Sequence, residues 1–111
     1  MARFQAVEVA LQAIAALQPL VTKIARHDRN LAMQLRDAAS SMPLNVSEGA
    51  RREGGDRLHH YRIAAGSADE ARTALRVAIA LRYVAAEECA DADALLDSEL
   101  ALLWRLTHPR R

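Results

Sequence analysis

Apolar residues recur along this chain at steps of three and four, in four separate stretches. That spacing follows the 3.6-residue turn of an α-helix and not the two-residue alternation of a half-buried strand. The first stretch reads Val7, Leu11, Ile14, Leu17, Val21, Ile24, one face of a helix. Val9, Ala10, Ala13, Ala16 and Leu20 widen its apolar arc. Pro19 lies inside it and removes one backbone hydrogen bond, so the spacing predicts a kink, or two abutting helices, near residues 16–19.

Residues 26–30 read as the first turn, with Asp28 as N-cap of the second helix. That helix carries Leu31, Leu35, Ala38, Met42, Val46 and Gly49 at the same steps. The period survives Pro43, which predicts one kinked helix, with Ser40 and Ser41 bonding to carbonyls that the proline leaves bare. Gly54-Gly55 is expected to end the helix and Asp56 to cap the next. The third helix shows Leu58, Tyr61, Ala65, Ala68, Leu75, Ala78 and Ile79 on one side and is expected to reach Val84. The fourth is expected to start near Asp91 or Asp93 and to end before Pro109. Short loops between four helices predict a single domain over 1–111, an all-α, antiparallel up-down four-helix bundle.

Composition narrows what fills that core. The chain is 51% hydrophobic but 4% aromatic, so alanine and the aliphatic residues must pack it. The single Cys89 excludes an intramolecular disulfide and a thiolate metal cluster. The N-terminus lacks the basic start and unbroken apolar run of a signal peptide. Polar residues interrupt the stretch from Val7 to Ile24, so a cytoplasmic protein is expected. Net charge is +1, but residues 87–104 hold six acids and no base, while Arg105, Arg110 and Arg111 follow. Such asymmetry favours self-association or contact with a polyanion.

Three groups of residues are candidate sites. Arg51, Arg52, Arg57 and Arg62 gather around the Gly-Gly turn, where arginines suit phosphate contact, and His59, His60 and Tyr61 beside them suit base stacking. Glu53 and Asp56 dilute that patch. Gln34, Arg36, Asn45, Glu48, Ser67 and Glu70 are expected to form a polar network that sets the register of the second and third helices. Gly66 amid the third helix predicts close approach of a neighbouring backbone. Leu95, Leu102, Trp104 and Leu106 exceed a single core stripe and are expected at a subunit interface.

Chemistry is sparse. His59 and His60 diverge by about 100° on a helix and cannot chelate together, and Asp56 with His60 makes only two ligands. No cofactor or metal is expected, and no nucleophile motif occurs. An Arg and a His close together on one helix would suit a ribonuclease-like toxin; Arg52 and His59 are the nearest pair, with Gly54-Gly55 between them.

The segments Gln34-Leu35-Arg36, Ala38-Ala39-Ser40-Ser41-Met42-Pro43, Asn45-Val46-Ser47-Glu48-Gly49 and Gly66-Ser67-Ala68-Asp69-Glu70 resemble the four-helix bundle family of 23S rRNA intervening-sequence proteins. The same fold occurs in accessory proteins of diversity-generating retroelements. The resemblance implies a left-handed antiparallel bundle assembling as a homo-oligomeric ring, typically a homopentamer, in the cytoplasm and without enzymatic activity. The function expected is therefore non-catalytic: an oligomer that presents basic residues near the Gly-Gly turn to RNA or a ribonucleoprotein. A protein-interaction subunit of the retroelement accessory type, without RNA contact, is the alternative.

Overall fold

The computed structural model describes residues 1–109. Arg110 and Arg111, counted in the basic tail, lie outside the described residues. Four α-helices make up the fold: α1 (Ala2–Ala25), α2 (Arg29–Ala50), α3 (Gly54–Ala80) and α4 (Ala86–Thr107). No strand occurs among the described residues. α1 packs on α2 and α4, and α3 packs on the same two helices, so the four surround one elongated core. The molecule measures 45 × 22 × 19 Å, about the length of its longest helix.

Helix boundaries follow local chemistry. Asp28 caps α2 as expected, its Oδ1 accepting from the Leu31 backbone N–H at 2.9 Å. Both prolines lie inside unbroken helices: α1 runs past Pro19 without dividing in two, and α2 runs past Pro43. Ser40 Oγ does bond a carbonyl, but that of Arg36, at 3.0 Å. Pro43 bares the carbonyl of Ala39, four residues back.

Three expected ends move. α2 stops at Ala50, and Gly54-Gly55 opens α3 instead of closing α2. Gly54 supplies the positive φ of +59° needed there. Asp56 therefore lies in the first turn of α3 and is not its cap. α3 ends at Ala80, short of Val84. Tyr83 N–H donates to Ala78 O and Arg82 N–H to Ile79 O, both at 2.9 Å, a Schellman closure. Its left-handed residue is Arg82, φ +64°, where glycine is usual. α4 begins at Ala86, five residues before Asp91, because Glu88 reaches back to the Ala85 backbone N–H at 2.8 Å.

The inward face of α1 is shifted from the expected row. Ala6, Ala10, Ala13, Leu17, Leu20 and Ile24 are buried. Leu11 is 48% and Phe4 62% exposed, while Val7, Ile14 and Val21 are half-buried. In the first half of α1 the inward residues are alanines, which let the helix approach its neighbours closely and leave Phe4 and Leu11 outside; in the second half Leu17, Leu20 and Ile24 point inward. α1 is long and apolar enough to cross a membrane by length and composition, with mean hydropathy 1.4 over its most apolar stretch. Only 28% of that stretch is buried, and the buried part is the core row.

The core divides into two clusters. The larger holds Leu17, Leu20, Ile24, Leu35, Met42, Leu75 and Leu96 among alanines. The smaller holds Ala6, Val46, Tyr61, Ala64, Leu102 and Leu103. Glu99 lies between Leu96 and Leu102 on the buried side of α4, 0% exposed, at the level where the clusters part. Neither of its carboxylate oxygens has a hydrogen-bond partner among the described residues. Burial pushes its carboxyl up to about 8, so it is mostly protonated and neutral near pH 7.

Candidate functional site

The α2–α3 turn gathers the expected arginines but satisfies most of them internally. Arg51 Nη2 donates to Glu48 Oε1 and Arg52 Nε to Glu48 Oε2, each at 2.9 Å. Arg52 Nη1 also reaches Asp56 Oδ2 at 3.1 Å. Hydrogen bonds from Arg52 and then Arg51 hold the Glu48 carboxyl below its ordinary range. Arg57 donates through Nε to Gly49 O at 3.1 Å and through Nη2 to Ala50 O at 3.2 Å. It thereby closes the C-terminal end of α2, where carbonyls lack helical partners. Arg62 is exposed and makes no ion pair among the described residues.

The aromatic residues beside the turn do not form a stacking face. Tyr61 is buried at 2% exposure. A Cβ on Gly49 would come within 2.7 Å of Tyr61 Cε1 and 3.2 Å of Arg57 O. Gly49 is thus the close-approach glycine of the α2–α3 contact. Gly66, expected in that role, has nothing within 4 Å of an added Cβ and is exposed. His59 is exposed, and His60 turns toward α2.

His60 belongs to a polar chain that ties α3 to α2. Ser67 Oγ donates to Ser41 Oγ at 2.7 Å. Asn45 Nδ2 donates to Ser41 Oγ at 2.9 Å and to Ser41 O at 3.0 Å. Asn45 Oδ1 then faces His60 Nδ1 at 3.1 Å. A carbonyl oxygen only accepts, so the His60 tautomer is fixed with its proton on Nδ1. Of the six residues expected in the network, Asn45 and Ser67 take part. Glu48 serves Arg51 and Arg52 instead, while Gln34, Arg36 and Glu70 are exposed and make no side-chain bond to this chain of residues. Ser41 and His60 were missed. Their signal lay in spacing: Ser41 precedes Asn45 by four residues, and His60 precedes Ser67 by seven, each pair on one helix face.

The leucines expected at an interface mostly complete the monomer core. Leu102 is buried, and Leu95 and Leu106 are half-buried against the two clusters. Trp104 alone stands out, 61% exposed and stacked on His108 with ring centroids 4.2 Å apart. Large apolar side chains are exposed on α1 and α2 at Phe4, Leu11, Met33 and Leu44, and on the α3 side at Ile63, Val77 and Leu81. Phe4 and Val7 share a groove with Ser47 and Arg51, and Ile14 shares one with Arg36 and Ser40. That pairing brings Leu11 level with Leu44, which is 67% exposed.

The opposite end of the bundle joins the α1–α2 and α3–α4 loops. His27 and Tyr83 stack with centroids 5.1 Å apart and rings within 4° of parallel. Tyr83 Oη donates to Asp28 Oδ2 at 3.4 Å, and Lys23 Nζ pairs with Glu88 at 2.9 Å. On the α3–α4 side, Arg72 bridges Asp93 at 2.9 Å and Asp97 at 3.0 Å. No group of three metal-ligating side chains occurs among the described residues. Arg52 and His59 share no assembled site: Arg52 is engaged by Glu48 and Asp56 in the turn, and His59 is exposed on α3.

Comparison with known proteins agrees with this architecture. No curated protein matches the chain. A solved structure of a protein of unknown function from the S23 ribosomal protein family of Bacteroides thetaiotaomicron is similar in fold, with a TM-score of 0.84. The two are 16% identical, and the match covers 92% of this chain and 97% of that one. The sequence profile of the 23S rRNA-intervening sequence proteins matches residues 4–105. With nearly its whole length matched and four packed helices as its fold, this chain belongs to the 23S rRNA-intervening sequence protein family.

Proposed function

We propose that the protein is a non-catalytic, cytoplasmic scaffold: an antiparallel up-down bundle whose copies close into a ring, a pentamer by family resemblance, that engages RNA or a ribonucleoprotein. Antiparallel order is supported by the Lys23–Glu88 pair, which joins the last turn of α1 to the first turn of α4. The observation that carries self-association is the packing of the first half of α1, with Ala6, Ala10 and Ala13 inward and Phe4 and Leu11 outward, beside an exposed Leu44. Large apolar side chains gathered on one side of a small domain favour a subunit contact. Light scattering on the purified protein should return a mass several times 12.2 kDa; a 12.2 kDa particle at micromolar concentration would refute the ring.

RNA contact at the α2–α3 turn is narrowed by the bonds there. Arg62 and the outer edges of Arg51 and Arg52 are what that turn offers a phosphate. The internal pairing of Arg51, Arg52 and Arg57 favours the second reading, a protein-interaction subunit without RNA contact. RNA binding that weakens steeply with salt supports the first reading, and its absence at low salt supports the second.

A further inference from the structure

We propose that the end of the bundle opposite the Gly-Gly turn is a binding site for single-stranded RNA, with Arg26, Arg29 and Arg82 on its phosphates and His27 under one unstacked base. The proposal rests on the reading that the protein contacts RNA, and it assigns that contact to a different end of the molecule.

Three observations converge there. Arg26, Arg29 and Arg82 are all exposed, and none makes an ion pair among the described residues. The acids nearby are Asp28, Glu87 and Glu88. Asp28 is occupied by the Leu31 N–H and Tyr83, and Glu88 by Lys23 and the Ala85 N–H, which leaves Glu87, and Asp91 one turn further along α4, without a bond among the described residues. The turn end also carries a positive excess, and Arg3, Arg62 and Arg105 make no ion pair there among the described residues, but the forks of Arg51, Arg52 and Arg57 are spent on carboxylates and carbonyls. A phosphate needs the fork itself, with donors free to meet its oxygens.

The second observation is the flat pair His27–Tyr83. Tyr83 is half-buried and His27 exposed, so the histidine is the solvent-side member of the stack and offers an outer ring face. Bases that are not paired stack on such faces with little regard to sequence. The third is the backbone at Arg82. The Schellman closure requires a left-handed residue, which glycine provides without strain, yet an arginine stands there. Arg82 and His27 line one pocket of about 500 Å³ together with Lys23 and Tyr83.

The test is fluorescence anisotropy with a short labelled oligouridylate and, in parallel, an RNA duplex. Three variants join the unaltered chain: Arg26→Ala/Arg29→Ala/Arg82→Gly, His27→Ala, and the turn-end control Arg51→Ala/Arg52→Ala/Arg62→Ala. None alters a buried residue, and circular dichroism verifies the fold. The loop-end triple variant should bind at least tenfold more weakly, and its plot of log affinity against log salt should be shallower by about 2, the loss of three single-strand phosphate contacts. His27→Ala should lose roughly tenfold on the single strand and little on the duplex. The turn-end control should lose less than twofold. If the control loses binding and the loop-end variant keeps it, RNA contact stands and this assignment falls. If the unaltered chain binds neither RNA, as expected of a site for an acidic protein, both fall. Equal loss of duplex and single strand in His27→Ala overturns the stacking role.

Discussion

The two halves of this bundle solve the same packing problem by different means. Toward the loop end, leucines, Ile24 and Met42 interlock among alanines, and the core is built from many small contributions. Toward the turn end, one buried ring, Tyr61, lies against a residue without a side chain, Gly49. The polar groups divide less sharply. At the turn Arg51, Arg52 and Arg57 close a helix end and pair with acids while Arg62 makes no ion pair among the described residues; in the loop half Lys23 and Arg72 are paired while Arg26, Arg29 and Arg82 are not. The turn half has the smaller core, in which Val46, Leu102 and Leu103 join the Tyr61–Gly49 contact, and Arg57 ties the end of α2 to it. Glu99 lies at the junction, a carboxyl without a hydrogen-bond partner among the described residues.

That junction should yield the largest effect. The Glu99 carboxyl titrates at 4.5 ordinarily and near 8 in the fold, so the folded chain holds this proton more tightly than the unfolded chain. The stability this proton contributes is fully present below pH 4.5 and is lost as pH rises through 8, up to about 5 kcal/mol. Glu99→Gln should flatten that slope, read by urea unfolding at pH 5 and pH 8. A slope unchanged in the variant would assign the pH dependence elsewhere. Next comes the turn half. Gly49→Ala forces a Cβ into the Tyr61 ring and should cost about 1–3 kcal/mol, since neither the ring nor the Arg57 carbonyl can yield freely. A melting temperature equal to that of the unaltered chain would mean that the halves do not differ as described. The smallest effect belongs to the loop half. Asp28→Ala removes one N-cap and should cost about 1 kcal/mol, because the packed core there carries α2 regardless. A loss larger than that of Gly49→Ala would reverse the comparison.

Much of this was legible in the sequence. The 3–4 spacing gave four helices, and Asp28 read correctly as a cap. What spacing cannot do is choose between adjacent rows on one helix. On α1 the expected row and the buried row share Leu17 and Ile24; elsewhere bulk favoured Val7, Leu11 and Ile14, while close packing selected Ala6, Ala10 and Ala13. The same limit misdirected the glycines, since Gly66 and Gly49 both sit mid-pattern and only the partner helix distinguishes them. The turn was more readable than its reading. Glu48 precedes Arg51 and Arg52 by three and four residues, the spacing at which helical side chains meet, so their pairing was available from sequence alone. Glu99 stands in the row Ala92, Leu96, Glu99, Leu103 at steps of four, three and four, so its burial was readable from spacing, but an acid within an acidic stretch reads as solvated.

The outward apolar side of α1 and α2 is the surface we propose another copy of the chain to cover. Sedimentation velocity on Leu11→Glu/Leu44→Glu tests it most directly, since both residues are exposed in the monomer and neither supports its core. The account predicts a helical species of 12.2 kDa where the unaltered chain sediments several times heavier. A variant that keeps the unaltered chain's mass would contradict it.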